Sequence, residues 1–202
     1  MNLNQLMFGL ILLISFSAQV YADQTPSVAM INGIQTLVLP DSLKSLIATK
    51  YPNYRIPGQS DLQLGWEPER LDSLPFITWG DFDGNKETDV AIVLLGIDIV
   101  KINDFQYEGN LMEVIFHQQS NQFQVVYEIQ RRLSQSGPKY PQQITCKLIK
   151  RGETITKGRG VTYTAVNDSI LWDHSELDTS ILYWDKGRYD YITLNSLNIE
   201  EL

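Results

Sequence analysis

Leu111–Ile129, LMEVIFHQQSNQFQVVYEI, consists of two apolar runs held apart by a polar tetrad. Leu111 to His117 and Gln122 to Ile129 are each long enough for a strand. Gln118-Gln119-Ser120-Asn121 between them is turn chemistry, so the stretch predicts an antiparallel hairpin. Upstream, Val90 to Leu95 is a continuous apolar run of the kind a central strand shows when both faces are covered. Phe76-Ile77-Thr78-Trp79 predicts a short strand before it. Downstream, strands are expected at Thr145 to Ile149 and Thr162 to Val166. The chain then closes with a second hairpin: Ile181 to Trp184, the turn Asp185-Lys186-Gly187-Arg188, and Tyr189 to Leu194.

One helix is expected. Asp41 to Tyr51, DSLKSLIATKY, starts on an aspartate suited to capping, carries Leu43, Leu46, Ile47 and Tyr51 at helical spacing, and is stopped by Pro52. The following stretch to Pro75 is rich in Pro, Gly and polar residues and reads as irregular surface structure. The fold class is therefore α+β, a mostly antiparallel sheet with one N-terminal helix packed on a face and hairpins in the C-terminal half. No period of 20 to 50 residues repeats, which argues against a solenoid or propeller.

The 202 residues, 43% of them apolar, suit one domain with a real core. Residues 1–22 carry no charged side chain, an apolar run from Leu6 to Phe16, and Ala22 closing the tripeptide Val20-Tyr21-Ala22. This is the pattern of a cleaved signal peptide, too short for the roughly 20 apolar residues of a membrane span. The mature domain is then 23–202, periplasmic or secreted, with no membrane attachment after cleavage. Cys146, the single cysteine, forms no intrachain disulfide and reads as a small buried apolar residue.

The net charge of −8 argues against nucleic-acid binding, which depends on Lys and Arg neutralising phosphates. The charge is uneven: from Arg131 to Arg159 eight basic residues face one acid, a local +7 that leaves −15 for the remainder. The basic segment 131–159 is a candidate surface for a protein or anionic polymer, set against the plainer reading of a solvated hairpin face.

Ahead of the central strand lies Gly80–Asp89, GDFDGNKETD. Counting Asp81 as position 1, side-chain oxygens fall at positions 1, 3, 5 and 9: Asp81, Asp83, Asn85 and Asp89. A tight loop can converge these on one hard cation, with the backbone carbonyl of Glu87 at position 7 as a further ligand and Gly84 permitting the sharp turn. Carboxylates this close repel one another unless a cation, protonation or water compensates. The loop is not an EF-hand, because Ile92 occupies position 12, where that motif needs a bidentate glutamate.

The pattern Gly80-Asp81-Phe82-Asp83-Gly84-Asn85 with Asp89-Val90-Ala91 resembles the calcium loop of the FG-GAP or VCBS-type repeat of integrin-type β-propellers and bacterial secreted proteins. By that resemblance Asp81, Asp83, Asn85 and Asp89 are calcium ligands within a β-hairpin. Lys86 stands where a second glycine is usual, which strains the loop if the position needs positive φ. The family stacks several copies, whereas one copy of about 20 residues is found here, so the resemblance implies a Ca²⁺ loop without a propeller.

Signals for catalysis are weak. His117 lies in a strand and His174 in WDHSELD, and neither sits in a nucleophile or metal-ligand motif. His174 with Asp173, Glu176 and Asp178 is a conceivable second cluster but reads better as a polar loop. Lys157-Gly158-Arg159-Gly160 lacks phosphate-loop spacing and reads as a hairpin turn. Trp172, Tyr183, Trp184, Tyr189 and Tyr191 would stack on sugars or a partner if they shared an exposed face, though core packing is the commoner use. The expectation is an exported binding or structural module with one calcium-type loop, not an enzyme. The rival readings are a partner-binding protein, such as an inhibitor of an exported enzyme, and a metal-assisted hydrolase.

Overall fold

The hairpin at the centre of the sequence forms, and it is longer than the apolar runs. The computed structural model describes residues 25–58, 61, 74–103, 106–133, 144–157, 161–174 and 179–194. The expected signal peptide lies outside them, as does most of the expected irregular stretch after Gly58. Strands Gln106–Gln119 (β7) and Gln122–Leu133 (β8) pair antiparallel across a two-residue turn. Both turn residues, Ser120 and Asn121, have positive φ (51° and 65°), the geometry whose twist matches that of the flanking strands. Ile115 pairs with Tyr127 and Phe116 with Val125, so Val126 is an extra residue that bulges β8.

Asp89–Gly96 (β5) lies along the other edge of β7 and is buried at every position, as its unbroken apolar run requires. Its outer edge pairs with Ile77–Gly80 (β4) and with the two-residue Tyr54–Arg55 (β3). Val100–Asn103 (β6) continues beside the start of β7. A second antiparallel sheet runs in the order Arg188–Leu194 (β14), Thr179–Asp185 (β13), Ser169–Asp173 (β12), Thr145–Ile149 (β9). Two hairpins stand apart from both sheets: Ser27–Ile31 (β1) with Ile34–Val38 (β2), and Thr154–Lys157 (β10) with Val161–Thr164 (β11).

Successive side chains of a strand point to opposite faces, and the two faces of the first sheet meet different partners. The helix Asp41–Lys50 (α1) covers one face: Tyr51, at its end, packs edge-on against Phe116 and donates its hydroxyl to Glu128. On the other face Ala91, Glu113, Ile115, His117 and Tyr127 look toward the second sheet. There Cys146 Sγ lies 3.8 Å from the Ala91 carbonyl, Glu113 reaches His174, and His117 and Tyr127 meet Tyr189. One apolar cluster, from Leu39 to Leu182 in sequence, fills the layers between helix and second sheet. A smaller cluster of Ile149, Ala165, Ile181 and Leu194 takes Ile155 and Tyr163 from the β10–β11 hairpin, covering the outer face of the second sheet. The fold is α+β and mostly antiparallel, with one α-helix among the described residues. None of their helices is long and apolar enough to cross a membrane.

Some local expectations change. Asp41 does not cap α1. The N-cap is Pro40, whose carbonyl accepts the Lys44 amide at 3.0 Å, and Asp41 sits in the first turn paired with Lys44 at 2.8 Å. The strand expected at Thr162 to Val166 is Val161–Thr164, and Val166 is exposed beyond it. Strands β1, β2, β3, β6, β10 and β12 were not anticipated. Each is five residues or fewer, too short for alternation to stand out in the sequence, and β10 with β11 flanks the turn expected at Lys157-Gly158-Arg159-Gly160, of which residues 158–160 lie outside the described residues.

Candidate metal site at the Asp81–Asp89 loop

The loop between β4 and β5 closes on itself through its own acidic side chains. Phe82 is fully buried in the core and anchors the loop, with its amide 2.9 Å from Asp89 Oδ2. Asp83 Oδ1 accepts the Asn85 amide at 3.0 Å, and Asn85 Oδ1 accepts the Glu87 amide at 2.6 Å, two successive Asx turns. Gly84 and Lys86 both carry positive φ (83° and 72°), so the loop adopts the backbone for which glycine is usual at position 86.

The register of β5 on β7 pairs Val90 with Phe116, which sets Asp89 opposite His117 on the face toward the second sheet. Asp89 is wholly buried and His117 is 3% exposed. His117 Nδ1 lies 3.3 Å from Asp83 Oδ2, and Nε2 lies 4.0 Å from Asp89 Oδ2 and 2.8 Å from the Tyr189 hydroxyl. The imidazole is wedged edge-on against Trp184, ring centroids 4.6 Å apart. One ligand atom each from Asp83, Asp89 and His117 lie within 4.8 Å of one another.

Burial dominates the electrostatics. It pushes the Asp89 carboxyl up to about 7, with help from neighbouring Asp83 and against the amides of Gln118, Phe82 and Asp83 that hydrogen-bond the charged form. Burial likewise lowers His117, opposed by Asp83 and Asp81. Among the described residues no Lys or Arg pairs with Asp81, Asp83 or Asp89. Asp81 Oδ1 and Glu87 Oε2 are buried with no hydrogen-bond partner. This surplus of buried oxygen fits a cation.

The expected ligands are thus divided. Of the expected carboxylate ligands, Asp83 and Asp89 converge, while that of Asp81 stands outside their group. Asn85 turns its amide nitrogen toward Asp83 Oδ2 and the Gln118 carbonyl. Glu87 uses its side chain to accept the Ser120 amide at 3.0 Å, tying the loop to the β7–β8 turn. The Asp81 amide donates to Asp168 Oδ2, whose partner oxygen accepts the Arg151 amide, so the loop is also clamped to the second sheet. His117 was not anticipated as a ligand. No local motif marks it, because its place depends on the pairing of β5 with β7.

Other sequence candidates resolve differently. His174 is no solvated loop residue: it is 2% exposed, with Nε2 2.7 Å from Glu113 Oε1, itself 2.5 Å from Arg131 Nε. Glu176 and Asp178 lie outside the described residues. Arg131 is drawn into this pair and away from the basic surface, and Lys139 and Arg159 of that segment are likewise outside the described residues. The terminal aromatics share no exposed face. Trp172 is fully buried, Trp184 and Tyr189 pack on His117, Tyr183 packs on Tyr163, and Tyr191 is 67% exposed. Cys146 is buried, and burial raises its thiol far above the ordinary range. An open groove of about 590 Å³ beside the end of α1 is lined by Tyr51, Tyr54, Asp98, Asn110 and Glu128 among others. Its acids are already engaged, Glu128 by Tyr51 and Lys50 and Asp98 by Asn110.

The fold and this loop define a two-sheet α+β protein with a candidate cation site at one end of the sheet interface. No family model, curated protein or solved structure matches this chain.

Proposed function

We propose that this protein is an exported binding or structural module whose Asp81–Asp89 loop is braced by a divalent cation. The observation that carries the reading is the approach of Asp83, Asp89 and His117 ligand atoms to within 4.8 Å, with no Lys or Arg of the described residues, Lys86 of the loop included, forming an ion pair with these carboxylates. An ion there joins the loop to β5 and β7 and offsets the repulsion between buried carboxylates. Export rests on the signal pattern of residues 1–22, and calcium is the first candidate because of the loop's FG-GAP-type spacing. In this reading the ion has a structural role and catalysis none.

The test is thermal unfolding of the chain from Asp23 in Ca²⁺, in Mg²⁺, in Zn²⁺ and in chelator, with Asp83→Ala alongside. An ion at ten times its dissociation constant adds about 1.4 kcal/mol, a rise of roughly 3 to 6 °C for a chain of this size. The expected result is a cation-dependent rise that Asp83→Ala abolishes. Coincident melts in all buffers would overturn the reading.

A further inference from the structure

We infer that the cation site is a mixed nitrogen and oxygen site in which His117 Nδ1 is a ligand beside Asp83 and Asp89, and that its ion is a first-row transition metal, with Zn²⁺ or Mn²⁺ the class to expect. This rests on the cation-site reading above and changes its occupant.

Three observations carry it. First, the carboxylates are not alone: a buried imidazole from a different strand lies between them, with Nδ1 3.3 Å from Asp83 Oδ2 and Nε2 4.0 Å from Asp89 Oδ2, and one ligand atom from each of the three residues falls within 4.8 Å of the others. Calcium takes oxygen ligands almost exclusively, whereas imidazole suits zinc and its first-row neighbours. Second, the imidazole is held as metal-binding histidines are. Its Nε2 is 2.8 Å from the Tyr189 hydroxyl, so with Nδ1 on the metal the Nε2–H donates to Tyr189, and Trp184 blocks ring rotation. Third, Asp89 accepts amides from both sides of the site, Phe82 and at longer range Asp83 of the loop on Oδ2, and Gln118 of β7 on Oδ1. Those bonds fix its oxygens and leave a lone pair on Oδ1 for an ion. Asp81 Oδ1, buried and without a partner, is the oxygen available to complete the set after a small loop adjustment.

The experiment titrates metal-free full-length mature chain with Zn²⁺, Mn²⁺, Co²⁺ and Ca²⁺ separately, and follows the imidazole nitrogen shifts of His117 and His174 by NMR and the visible absorption of bound Co²⁺. The expected result is one equivalent of Zn²⁺ or Co²⁺ bound, with the His117 Nδ1 resonance moved and that of His174 unmoved. His117→Asn should weaken Zn²⁺ at least tenfold without matching loss for Ca²⁺. Tyr189→Phe, which keeps the ring packing and removes the hydroxyl, should weaken Zn²⁺ by roughly 10-fold, within the range known for partners of ligating histidines. Should His117→Asn fail to fold, the nitrogen shifts of the parent protein decide by themselves. Calcium binding with His117 unmoved and no transition metal at the loop would overturn this inference and leave the cation-braced loop standing. Transition-metal binding confined to His174 would also overturn it. Binding of none of the four ions would remove both.

Discussion

Lys86 is the residue at which loop and sequence disagree most directly. Its φ of 72° lies in the left-handed region, which costs an L-residue about 1–2 kcal/mol. Glycine reaches that region freely but loses about 0.5–1 kcal/mol of chain entropy on folding. Lys86→Gly should therefore stabilise the protein by about 0.5–1 kcal/mol, seen as a higher urea midpoint at unchanged slope. A lower midpoint would mean that the lysine makes a compensating interaction. The same reasoning explains why Gly84 is suited to its place. Its φ is 83°, and a Cβ there would come within 3.0 Å of the Asn167 side chain.

The helix is held to the sheet along its length and by the residue that follows it. α1 buries Leu43 and Ile47, and Tyr51 just beyond it joins Phe116 to the Glu128 carboxylate. The Tyr51 hydroxyl, then Lys50, holds the Glu128 carboxyl below its usual range. A carboxyl lowered on folding contributes stability above its unfolded value of 4.5, and that contribution disappears as pH falls through the lower folded value. Tyr51→Phe should thus cost something near neutral pH and progressively less below about pH 4. Glu128 is open to solvent, so the effect should stay under about 1 kcal/mol. Melting temperatures of parent and variant from pH 3 to 7 would show the gap closing on the acid side; a constant gap would assign the loss to packing alone.

At the scale of the molecule, the interface between the two sheets holds two clusters of ionisable side chains among the described residues. The His117 cluster lies at the loop end, and the Arg131–Glu113–His174 cluster lies further along β7. Glu113 and His117 are four residues apart on β7 and share its inward face, so one strand feeds both. Removing Glu113 leaves Arg131 unpaired, and because Arg131 is 32% exposed, Glu113→Ala should cost less than the roughly 3–5 kcal/mol of a fully buried pair. Replacing Arg131, Glu113 and His174 together by apolar residues of similar volume should cost far less. Urea unfolding of both variants measures the difference. Equal losses would show that the cluster contributes more than mutual charge compensation.

Much of this architecture is encoded locally. The run Val90 to Leu95 has no polar position at which a solvent-facing side could begin, so it had to be a strand covered on both faces, and it is. Ser120-Asn121 and Lys186-Gly187 accept positive φ, which was enough to locate both long hairpins. The alternating acids of residues 81–89 likewise declared a loop that folds over its own carboxylates. Burial of His117 and His174 was not legible, because alternation along a strand states which residues share a face and not which layer that face meets. Asp89 faces His117 only through the register of β5 on β7, and His174 reaches Glu113 only because the second sheet stacks on the first. The first contact, across 28 residues of chain, is fixed by strand register and the second, across 61, by packing of whole layers, and the register converts an acidic turn into a candidate site with a nitrogen ligand.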